Sequence, residues 1–402
     1  MAHKLKRDLT MEEQLSRGPM DLPFLMLVVL LTGIGVIMMF SASYADALYN
    51  QGNPTYYFMR QALFAVAGLA IMYVVSKTNY QHLRWMSVLV LGGSIVLLVL
   101  VKVPGIGASG GGADRWIRAI GPLPRWQPSE AAKLGIILYF SARLSKRSTE
   151  KKRKFDRHKF SGRLLEFLDH IGFLELVPYG AILLVIAGLL LWEPHLSATI
   201  LMLAIGASIL FAAGIKLGWF AAGGTLMVAA LWVVANATDY MADRLAIWQN
   251  PMSDPRGDGY QILQSLYAIG SGGLLGVGLG NSRQKYLWLP ELQNDYVFPI
   301  VCEELGFIGA SMILILFALL IIRGYWLAIH ARDRFGALLI VGITTQVAVQ
   351  VFLNIGVVTN LLPPTGISLP FFSYGGTALI IQLVEMGIIL GVSRQIPAPK
   401  AG

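Results

Sequence analysis

Cysteine and charged residues are scarce in this sequence. The 402 residues include a single cysteine, Cys302, which excludes an intramolecular disulfide and a cysteine-based zinc site within one chain. Asp, Glu, Lys and Arg together make up 14% of the residues, whereas soluble domains carry roughly 25%. Hydrophobic residues reach 55%, and the mean hydropathy is +0.61. These values exclude an ordinary soluble domain and favour a protein of the lipid bilayer.

Long apolar runs cover most of the chain. Because a helix needs about 20 mostly apolar residues to cross a bilayer, these runs predict an all-α polytopic membrane protein with about ten transmembrane helices. The predicted spans are 22–42, 57–76, 84–103, 129–145, 173–192, 196–213, 219–237, 296–322, 336–358 and 374–393. They form one transmembrane domain of residues 22–394, with tails at 1–21 and 395–402. The first run is longer than the roughly 7–15 residues of a signal-peptide core, which favours a retained helix.

The basic residues predict the orientation in the membrane. The segment 146–172, between the fourth and fifth spans, holds nine Lys or Arg against four Asp or Glu. Short basic loops stay on the cytoplasmic side, so this loop and, by counting spans, both termini are predicted to be cytoplasmic. The net charge of +9 is then explained by topology and by attraction to anionic lipid. A role in nucleic-acid binding is not favoured.

This orientation leaves three outer loops, 104–128, 238–295 and 359–373. The large extracellular loop between spans seven and eight contains YQILQSLYAIGSG, an amphipathic pattern that predicts a helix lying on the membrane surface or covering the helix bundle. Its glycines in GSGGLLGVGLGNSR do not match the G-x-G-x-x-G spacing, which argues against a nucleotide site. The third loop carries three prolines. Irregular backbone at this depth must be buried in protein or line a wet cavity, so this loop is predicted to border the same cavity as Asp295.

Positive charge gathers in the first outer loop, although short external loops normally avoid it. Arg115, Arg118 and Arg125 stand against Asp114 alone, and Lys133 follows just inside the next span. One interpretation is that these cations pair with nearby acids or with lipid phosphates. The other is a site for a substrate anion, because guanidinium groups suit the geometry of phosphate. The tryptophans of this loop are either interfacial anchors or stacking surfaces for a sugar or an isoprenoid.

Carboxylates stand at the mouth of the eighth span. Asp295 precedes the apolar run directly, and on the residues alone it is either a functional group or the N-cap of a helix. Glu303 and Glu304 follow within the span, where ionised groups are costly. A structural role is predicted for this pair, with one of the two bound to a cation such as Lys133 or Arg143.

Several motifs, in order along the chain, resemble one known family. They are RWI at 115–117, QPSEAAKL at 127–134, DPRGDGYQILQSLYAIGSGGLLGVGLGNSRQKYLWLPE at 254–291, NDYVF at 294–298 and LPPTGISLPFFSYGG at 362–376. The sequence is similar to the SEDS proteins, the group containing FtsW, RodA and SpoVE, over nearly its whole length. GNSRQKYLWLPE looks more like the FtsW/SpoVE branch than RodA.

The resemblance implies a peptidoglycan glycosyltransferase that polymerises lipid II into β-1,4 glycan strands for cell division or sporulation. Asp295 matches the aspartate that is essential in that family. The candidate substrate-binding residues, taken from the cationic loop and from the matching motifs, are Arg115, Trp116, Arg118, Arg125, Gln127, Ser129, Glu130, Lys133 and Ser373. The resemblance also implies a class B penicillin-binding protein as transpeptidase partner, divisome or related cell-wall proteins, and a bacterial cytoplasmic membrane location with the active site facing outward.

The sequence departs from the family's pattern at several positions. Asn294 and Tyr296 flank the aspartate in place of Thr and Phe. His195 and Ser197 vary a P-D-L-G pattern, and Thr377 begins a pair that is commonly two serines. None of these changes removes a carboxylate with an assigned catalytic role, although they weaken any role for hydroxyls there.

The implied reaction joins the anomeric carbon of a diphosphate-linked sugar to the 4-hydroxyl of another lipid-linked sugar. An α-linked donor and a β-linked product require one inverting displacement, in which undecaprenyl diphosphate leaves as an anion stabilised by cations. The acceptor hydroxyl needs a base within hydrogen-bond reach, and Asp295 is the candidate. A divalent cation, Mg²⁺ or Mn²⁺, is a further candidate, with Asp295 as a ligand instead of a base.

Two other classes of function stay open. A flippase or transporter for lipid-linked saccharides also needs a lateral cavity, but transporters typically show internal repeats and charged sites near the midplane. No repeat is evident, and the polar chemistry concentrates in the outer loops. A structural scaffold for a division complex would not need Asp295 together with the arginines. The enzyme is therefore the favoured hypothesis.

Overall fold

The computed structural model describes residues 18–110, 113–118, 126–147, 166, 168–169, 172–237, 239–257, 259–290 and 292–396. Arg125, most of the basic loop 146–172 and most of both predicted tails lie outside the described residues. Within them the chain is mostly helical, as predicted. The helices are α1 (Leu22–Gln51), α2 (Tyr56–Lys77), α3 (Leu83–Leu100), α4 (Pro128–Ser145), α5 (Phe173–Trp192), α6 (Leu196–Ala212), α7 (Leu217–Ala237), α8 (Asp239–Gln249), α9 (Tyr260–Ser271), α10 (Val297–His330), α11 (Arg334–Val358) and α12 (Gly376–Ser393).

Each of the ten predicted spans falls on one of these helices. Among the described residues, seven helices are long and apolar enough to cross a membrane by length and composition. They are α1, α2, α3 with its preceding turn, α5, α10, α11 and α12. The chain is therefore a multi-pass membrane protein, and the full count of ten spans stays a prediction.

Two helices continue past the predicted ends of their spans. The first helix continues past residue 42 through SASYADA to Gln51, where Gly52 ends it in the left-handed conformation at φ +67°. The eighth span continues to His330. Both extensions contain helix-compatible residues that are less apolar than the run before them, so a hydropathy pattern cannot detect them.

Contacts between distant segments place both described ends of the chain on one face of the bundle. The backbone amide of Gly18 donates to the carbonyl of Arg394 at 2.7 Å. On the same face, Tyr80, just before α3, donates a hydrogen bond to Asp333, just before α11. Arg147 and Arg334 both donate to the carbonyl of Ala213 at 2.7 Å. We call this the inner face. Its assignment to the cytoplasm rests on the basic residues and stays a prediction.

The opposite, outer face carries structure that the sequence pattern did not predict. Strands β1 (Gly107–Gly110) and β2 (Ala113–Ile117) form an antiparallel hairpin in the first outer loop. Helix α8 begins the large loop, and its Trp248 donates to the carbonyl of Asn360 at 3.1 Å. Helix α9 confirms the predicted amphipathic helix, and its buried Ser265 donates to the carbonyl of Val358 at 2.7 Å. The large loop is therefore folded onto the outer end of α11.

Helix α10 carries a kink where the large loop presses against it. Gly306 has φ +67° and ψ −173° within the helix. The amide of Phe307 donates to the carbonyl of Gly273 at 2.8 Å, and the amide of Val277 donates to the carbonyl of Glu303 at 2.9 Å. These bonds take the place of hydrogen bonds within α10. The kink favours glycine at residue 306, because a positive φ is strained for residues with a side chain.

Glu303 and Glu304 fasten the large loop to α10, which bears out a structural position for the pair. Glu303 accepts hydrogen bonds from Ser282 Oγ at 2.5 Å and from the backbone amide of Arg283 at 3.0 Å. Glu304 accepts from Ser41 of α1 at 2.6 Å. Both glutamates are 1% exposed, so these donors offset the cost of burying their charge.

The cation partner predicted for this pair was wrong. Lys285, which is 2% exposed, lies 3.2 Å from Glu304 Oε1 and also donates to the carbonyl of Gly280. Lys133 instead pairs with Glu130. The kink at Gly306 and the fold of the large loop bring Lys285 back to α10, which a sequence pattern does not reveal.

Candidate active site

Asp295 lies in the turn that leads into α10. Tyr296, not Asp295, is the N-cap residue of this helix, and Tyr296 makes no side-chain capping hydrogen bond. The N-cap interpretation of Asp295 is therefore wrong. Asp295 is half-buried, and its backbone carbonyl accepts a hydrogen bond from Asn354 Nδ2 of α11 at 2.8 Å.

The third outer loop packs directly against the Asp295 turn, and the cavity that the two were predicted to share stays a prediction. The same Asn354 amide donates to the carbonyl of Ile367 at 2.7 Å. Asp295 Oδ2 lies 3.1 Å from the position that a β-carbon on Gly366 would occupy, and Gly366 has φ +69°. Two residues earlier, Gln293 accepts a hydrogen bond from the amide of Tyr374 at 2.6 Å. Asn354 thus joins the Asp295 turn and the proline-rich loop into one unit.

Sequence reasoning missed a cation at this site. Arg244 of α8 donates to the carbonyl of Pro364 at 2.8 Å, which brings its guanidinium to the loop that borders Asp295. Asp295 and Arg244 both lie within electrostatic range of the Tyr296 hydroxyl. The sequence offered one signal for this cation, namely that Arg244 lies in the helix-compatible segment DYMADRLAIWQ.

The predicted cationic loop lies against the link between α5 and α6. Arg115 of β2 is half-buried, and its Nε donates to the carbonyl of Glu193 at 3.4 Å, with a second bond to the carbonyl of Pro194. Trp116 is half-buried and pairs with Ala108 across the hairpin. Arg118 is exposed and donates to the carbonyl of Gly107 at 3.1 Å. The backbone contacts of both arginines orient them at the outer face.

The α5–α6 link holds neutral titratable groups beside these cations. Burial raises the pKa of Glu193 to about 8, although Lys102 and Arg115 lower it. Burial, together with the charges of Arg115 and Lys133, lowers the pKa of His195 to about 3. Within the described part of the chain, Glu193 Oε1 and His195 Nδ1 have no hydrogen-bond partner. Positive charge therefore dominates this link near neutral pH.

The QPSEAAKL motif forms the first turns of α4. Gln127 is the N-cap, Ser129 is 2% exposed, and Glu130 pairs with Lys133 at 2.8 Å. The Lys133 side chain is 3% exposed and lies within electrostatic range of His195 and of Glu385. Sequence reasoning missed Glu385 as part of this group. Its Oε2 accepts from Gln346 Nε2 at 2.6 Å.

One face of α11 extends from the neighbourhood of Lys133 and Glu385 to Asp295. Gln346, Gln350 and Asn354 recur every four residues, so they lie on the same side of the helix, and all three are buried. The eight residues from Gln346 to Asn354 correspond to about 12 Å along the axis. This polar face contacts Glu385 of α12 through Gln346 at one end and the Asp295 carbonyl through Asn354 at the other. The structure thus brings Glu130 and Lys133 together, places Arg115 beside His195, and keeps Asp295 at the far end of the polar face.

The structure describes the surroundings of Ser373 and of the predicted metal position at Asp295, and both roles stay predictions. Ser373 Oγ accepts a hydrogen bond from the amide of Leu369 at 2.7 Å, so this buried hydroxyl holds the turn of the third loop. Among the residues that the structure describes, no three His, Cys, Asp or Glu side chains come together to hold a metal ion. A cation bound at Asp295 would share its remaining ligands with the substrate, as Mg²⁺ commonly does with phosphates.

The fold and this site define a multi-pass helical membrane protein with a carboxylate held between outer loops. The model of the FtsW/RodA/SpoVE family, described as cell cycle protein, matches residues 22–397, and the chain belongs to this family. A probable peptidoglycan glycosyltransferase FtsW from Geobacter metallireducens is 38% identical over 376 residues, 94% of this chain and 95% of that protein. Stage V sporulation protein E from Bacillus subtilis is 38% identical over 374 residues, 93% and 97% of the two chains.

Solved structures share the fold over nearly the whole chain. A structure on the coordination of polymerization and crosslinking by a peptidoglycan synthase complex aligns with a TM-score of 0.73 and 26% identity, covering 93% of this chain and 98% of that one. The rod shape determining protein RodA of Thermus thermophilus aligns with a TM-score of 0.65 and 25% identity, covering 94% and 98%.

Proposed function

We propose that this protein, a peptidoglycan glycosyltransferase, polymerises lipid II into β-1,4 glycan strands by an inverting displacement with Asp295 as the base. The enzyme class follows from the family, since relatives of that name align along nearly the whole chain. The observation that supports the base role is the position of Asp295. It is half-buried, is not the N-cap of α10, and is held against the third outer loop by Asn354.

The proposed step needs a hydroxyl, a base and a stabilised leaving group. The acceptor 4-hydroxyl attacks the anomeric carbon of the donor while the bond from that carbon to the diphosphate oxygen breaks. The hydroxyl proton passes to the Asp295 carboxylate, and undecaprenyl diphosphate leaves with the bonding electron pair. A carboxylate within hydrogen-bond reach of the hydroxyl is the required geometry.

Cations of the outer face support a place for the donor diphosphate. Arg115 and Lys133 lie around the α5–α6 link and Arg244 lies at the loop beside Asp295. Lys133 is already paired with Glu130, so its net attraction for an anion is reduced and the arginines carry most of the charge. Fixed guanidinium groups stabilise developing negative charge without reorganising in the reaction.

The setting of the reaction is part of the same proposal. The protein lies in the bacterial cytoplasmic membrane with Asp295 facing outward, and a class B penicillin-binding protein of the divisome or a related complex crosslinks the strands. The relation to a peptidoglycan synthase complex supports such a partner. A divalent cation bridging Asp295 and the diphosphate is the alternative role for this carboxylate.

The test is polymerisation of purified lipid II in detergent by the wild type, Asp295→Ala and Asp295→Asn. Each protein is assayed with and without a class B penicillin-binding protein, and with Mg²⁺, Mn²⁺ or a chelator. Loss of a general base typically costs roughly 10²–10⁴-fold in rate, so we expect no detectable polymer from either variant. Size-exclusion profiles and melting temperatures like those of the wild type control for folding.

The outcomes separate the candidate functions. Polymer from the wild type alone supports the transferase with Asp295 in the reaction, and loss of wild-type activity with the chelator supports the metal role. Polymer from Asp295→Asn at the wild-type rate would exclude the base role. No polymer under any condition, with lipid II translocation intact in vesicles, would instead favour a flippase.

A further inference from the structure

A second polar surface lies next to the Asp295 turn, at the outer end of α2. The Arg60 guanidinium lies 4.3 Å from the centroid of the Tyr56 ring, and the rings of Tyr57 and Tyr374 meet edge to face with centroids 5.1 Å apart. The three tyrosines are half-buried and Arg60 is exposed. We call these four residues the tyrosine cluster. It presents aromatic rings and one guanidinium together at the outer face.

Backbone hydrogen bonds fix the tyrosine cluster relative to the candidate base. The amide of Tyr374 donates to the carbonyl of Gln293, two residues before Asp295, at 2.6 Å. Gln61, which is 0% exposed, donates to the carbonyl of Ser373 at 3.0 Å and accepts from the amide of Gly375 at 3.4 Å. Gln61 therefore holds α2 to both sides of Tyr374, which fixes the backbone of the neighbouring Arg60 relative to the Asp295 turn.

The charge of Arg60 is available to a ligand. Among the described residues no carboxylate forms an ion pair with Arg60, although Asp46 lies near the hydroxyl of Tyr57. The guanidinium of Arg60 also lies within electrostatic range of the Tyr374 hydroxyl. A guanidinium in this position suits a carboxylate or a phosphate.

Tyrosines at a membrane interface are common as anchors, and α2 itself contains the comparison. At its inner end, Lys77 lies 4.2 Å from the Tyr73 ring with the same spacing of four residues as Tyr56 and Arg60. Tyr73 and Lys77 lie near the C-terminal end of α2, whereas Tyr56 and Arg60 lie near its N-terminal end, next to the Asp295 turn. If the tyrosines are only membrane anchors, substitutions at the two ends of α2 should change lipid II binding equally. If the outer residues form a ligand site, only substitutions at the outer end should weaken binding.

We propose that the tyrosine cluster is a subsite for the acceptor, in which the tyrosine rings contact the saccharide and Arg60 binds an anionic group that the acceptor carries. This inference rests on the proposed function. The acceptor is favoured over the donor because the cluster adjoins the base, whereas Arg115 and Lys133 lie by the α5–α6 link. The C–H faces of a sugar ring suit the electron-rich faces of aromatic rings.

The test measures binding in the Asp295→Asn background, so that turnover does not affect it. Fluorescent lipid II is titrated into this protein and into versions that add Arg60→Gln, Tyr56→Leu, Tyr73→Leu or Lys77→Gln. A hydrogen bond to a charged group is worth about 1.5–3 kcal/mol, so Arg60→Gln should weaken binding roughly tenfold or more. Tyr56→Leu should weaken it about three- to tenfold, and the two inner variants should stay within about twofold.

Competition by two unlabelled probes identifies the anion. The disaccharide–pentapeptide of lipid II lacks the diphosphate, and undecaprenyl diphosphate lacks the sugar and the peptide. If Arg60 binds a peptide carboxylate, Arg60→Gln weakens competition by the first probe alone. If Arg60 binds phosphate, it weakens competition by the second probe alone.

Equal affinity of the Arg60→Gln and Lys77→Gln proteins for lipid II and for both probes would overturn the subsite. Equal losses at the inner and outer ends of α2 would also overturn it and leave anchoring as the explanation. Neither result would bear on Asp295, whose role depends on the polymerisation rates of its own variants.

Discussion

At the scale of single residues, the sequence singled out Asp295 as the candidate base but did not single out the residue that holds its turn in place. Asp295 stood out because it precedes a long apolar run and matches a family motif. The sequence did not indicate a role for Asn354, because a single polar residue in a transmembrane span can have many different partners. Its role depends on hydrogen bonds to Asp295 and Ile367. These contacts join residues far apart in the chain, and only the folded backbone shows them.

Asn354→Leu should lower the turnover of lipid II without weakening its binding. Leucine removes both donated hydrogen bonds, so two carbonyls lose their partner and the Asp295 turn can shift from the third loop. Because small misplacements of a catalytic group cost about 10²-fold in rate, we expect kcat to fall roughly tenfold to a hundredfold. Initial rates over a range of lipid II concentrations separate kcat from KM.

Thr345→Val is the matched control for Asn354→Leu. It removes one hydrogen bond of α11, to Tyr325 at 2.8 Å, near the inner half of the helix. An equal fall of kcat in both variants would mean that α11 is merely destabilised. A rise in KM with unchanged kcat would show that Asn354 supports binding instead of positioning Asp295.

At the scale of elements, the existence of α10 was predictable and its partners were not. The apolar run from residue 296 predicted the helix, and burial of Glu303 and Glu304 was predicted to be structural. The choice of Lys133 or Arg143 as the cation assumed pairing between helices within the membrane. Lys285 pairs with Glu304 instead, because the large loop folds back onto α10 at its kink. Sequence spacing does not encode such a return.

Single neutralisation of the buried pair should destabilise the protein more than neutralisation of both partners. Lys285→Met leaves Glu304 as a charge without its cation, and Glu304→Gln leaves Lys285 likewise. Breaking a buried pair costs about 3–5 kcal/mol, whereas replacing both partners is often close to neutral. We expect the melting temperature in detergent to fall clearly in each single variant and to recover in part in Lys285→Met/Glu304→Gln.

The double-mutant cycle can also show that Lys285 and Glu304 are not coupled. Losses that simply add in the double variant would show that Ser41, Ser282 and the backbone amides hold the glutamates independently of Lys285. The half-buried pair of Arg147 and Glu175 provides the comparison, because ion pairs that reach solvent contribute only about 0–1 kcal/mol.

At the scale of the whole molecule, hydropathy predicted the bundle, and tertiary contacts show how it is arranged. The predicted spans all fall on helices, since burial in lipid requires every backbone group to be bonded within a helix. The β1–β2 hairpin and α8 were missed, because their residues lie outside the long apolar runs and their backbone hydrogen bonds leave no mark in a hydropathy pattern. The face shared by Gly18 and Arg394 agrees with the even number of spans predicted from the sequence.

Cysteine labelling in cells can test this topology, because Cys302 is the sole native cysteine and is 7% exposed. In a Cys302→Ala background, Ser253→Cys lies in the large outer loop and Thr78→Cys lies between α2 and α3, both at exposed positions. A membrane-impermeant maleimide should label the first variant in intact spheroplasts and the second only after permeabilisation. The opposite pattern would place Asp295 in the cytoplasm, where the glycan product could not join the outer wall. Labelling of both in intact spheroplasts would mean that the chain between residues 78 and 253 contains an even number of crossings, and the span count would have to be revised.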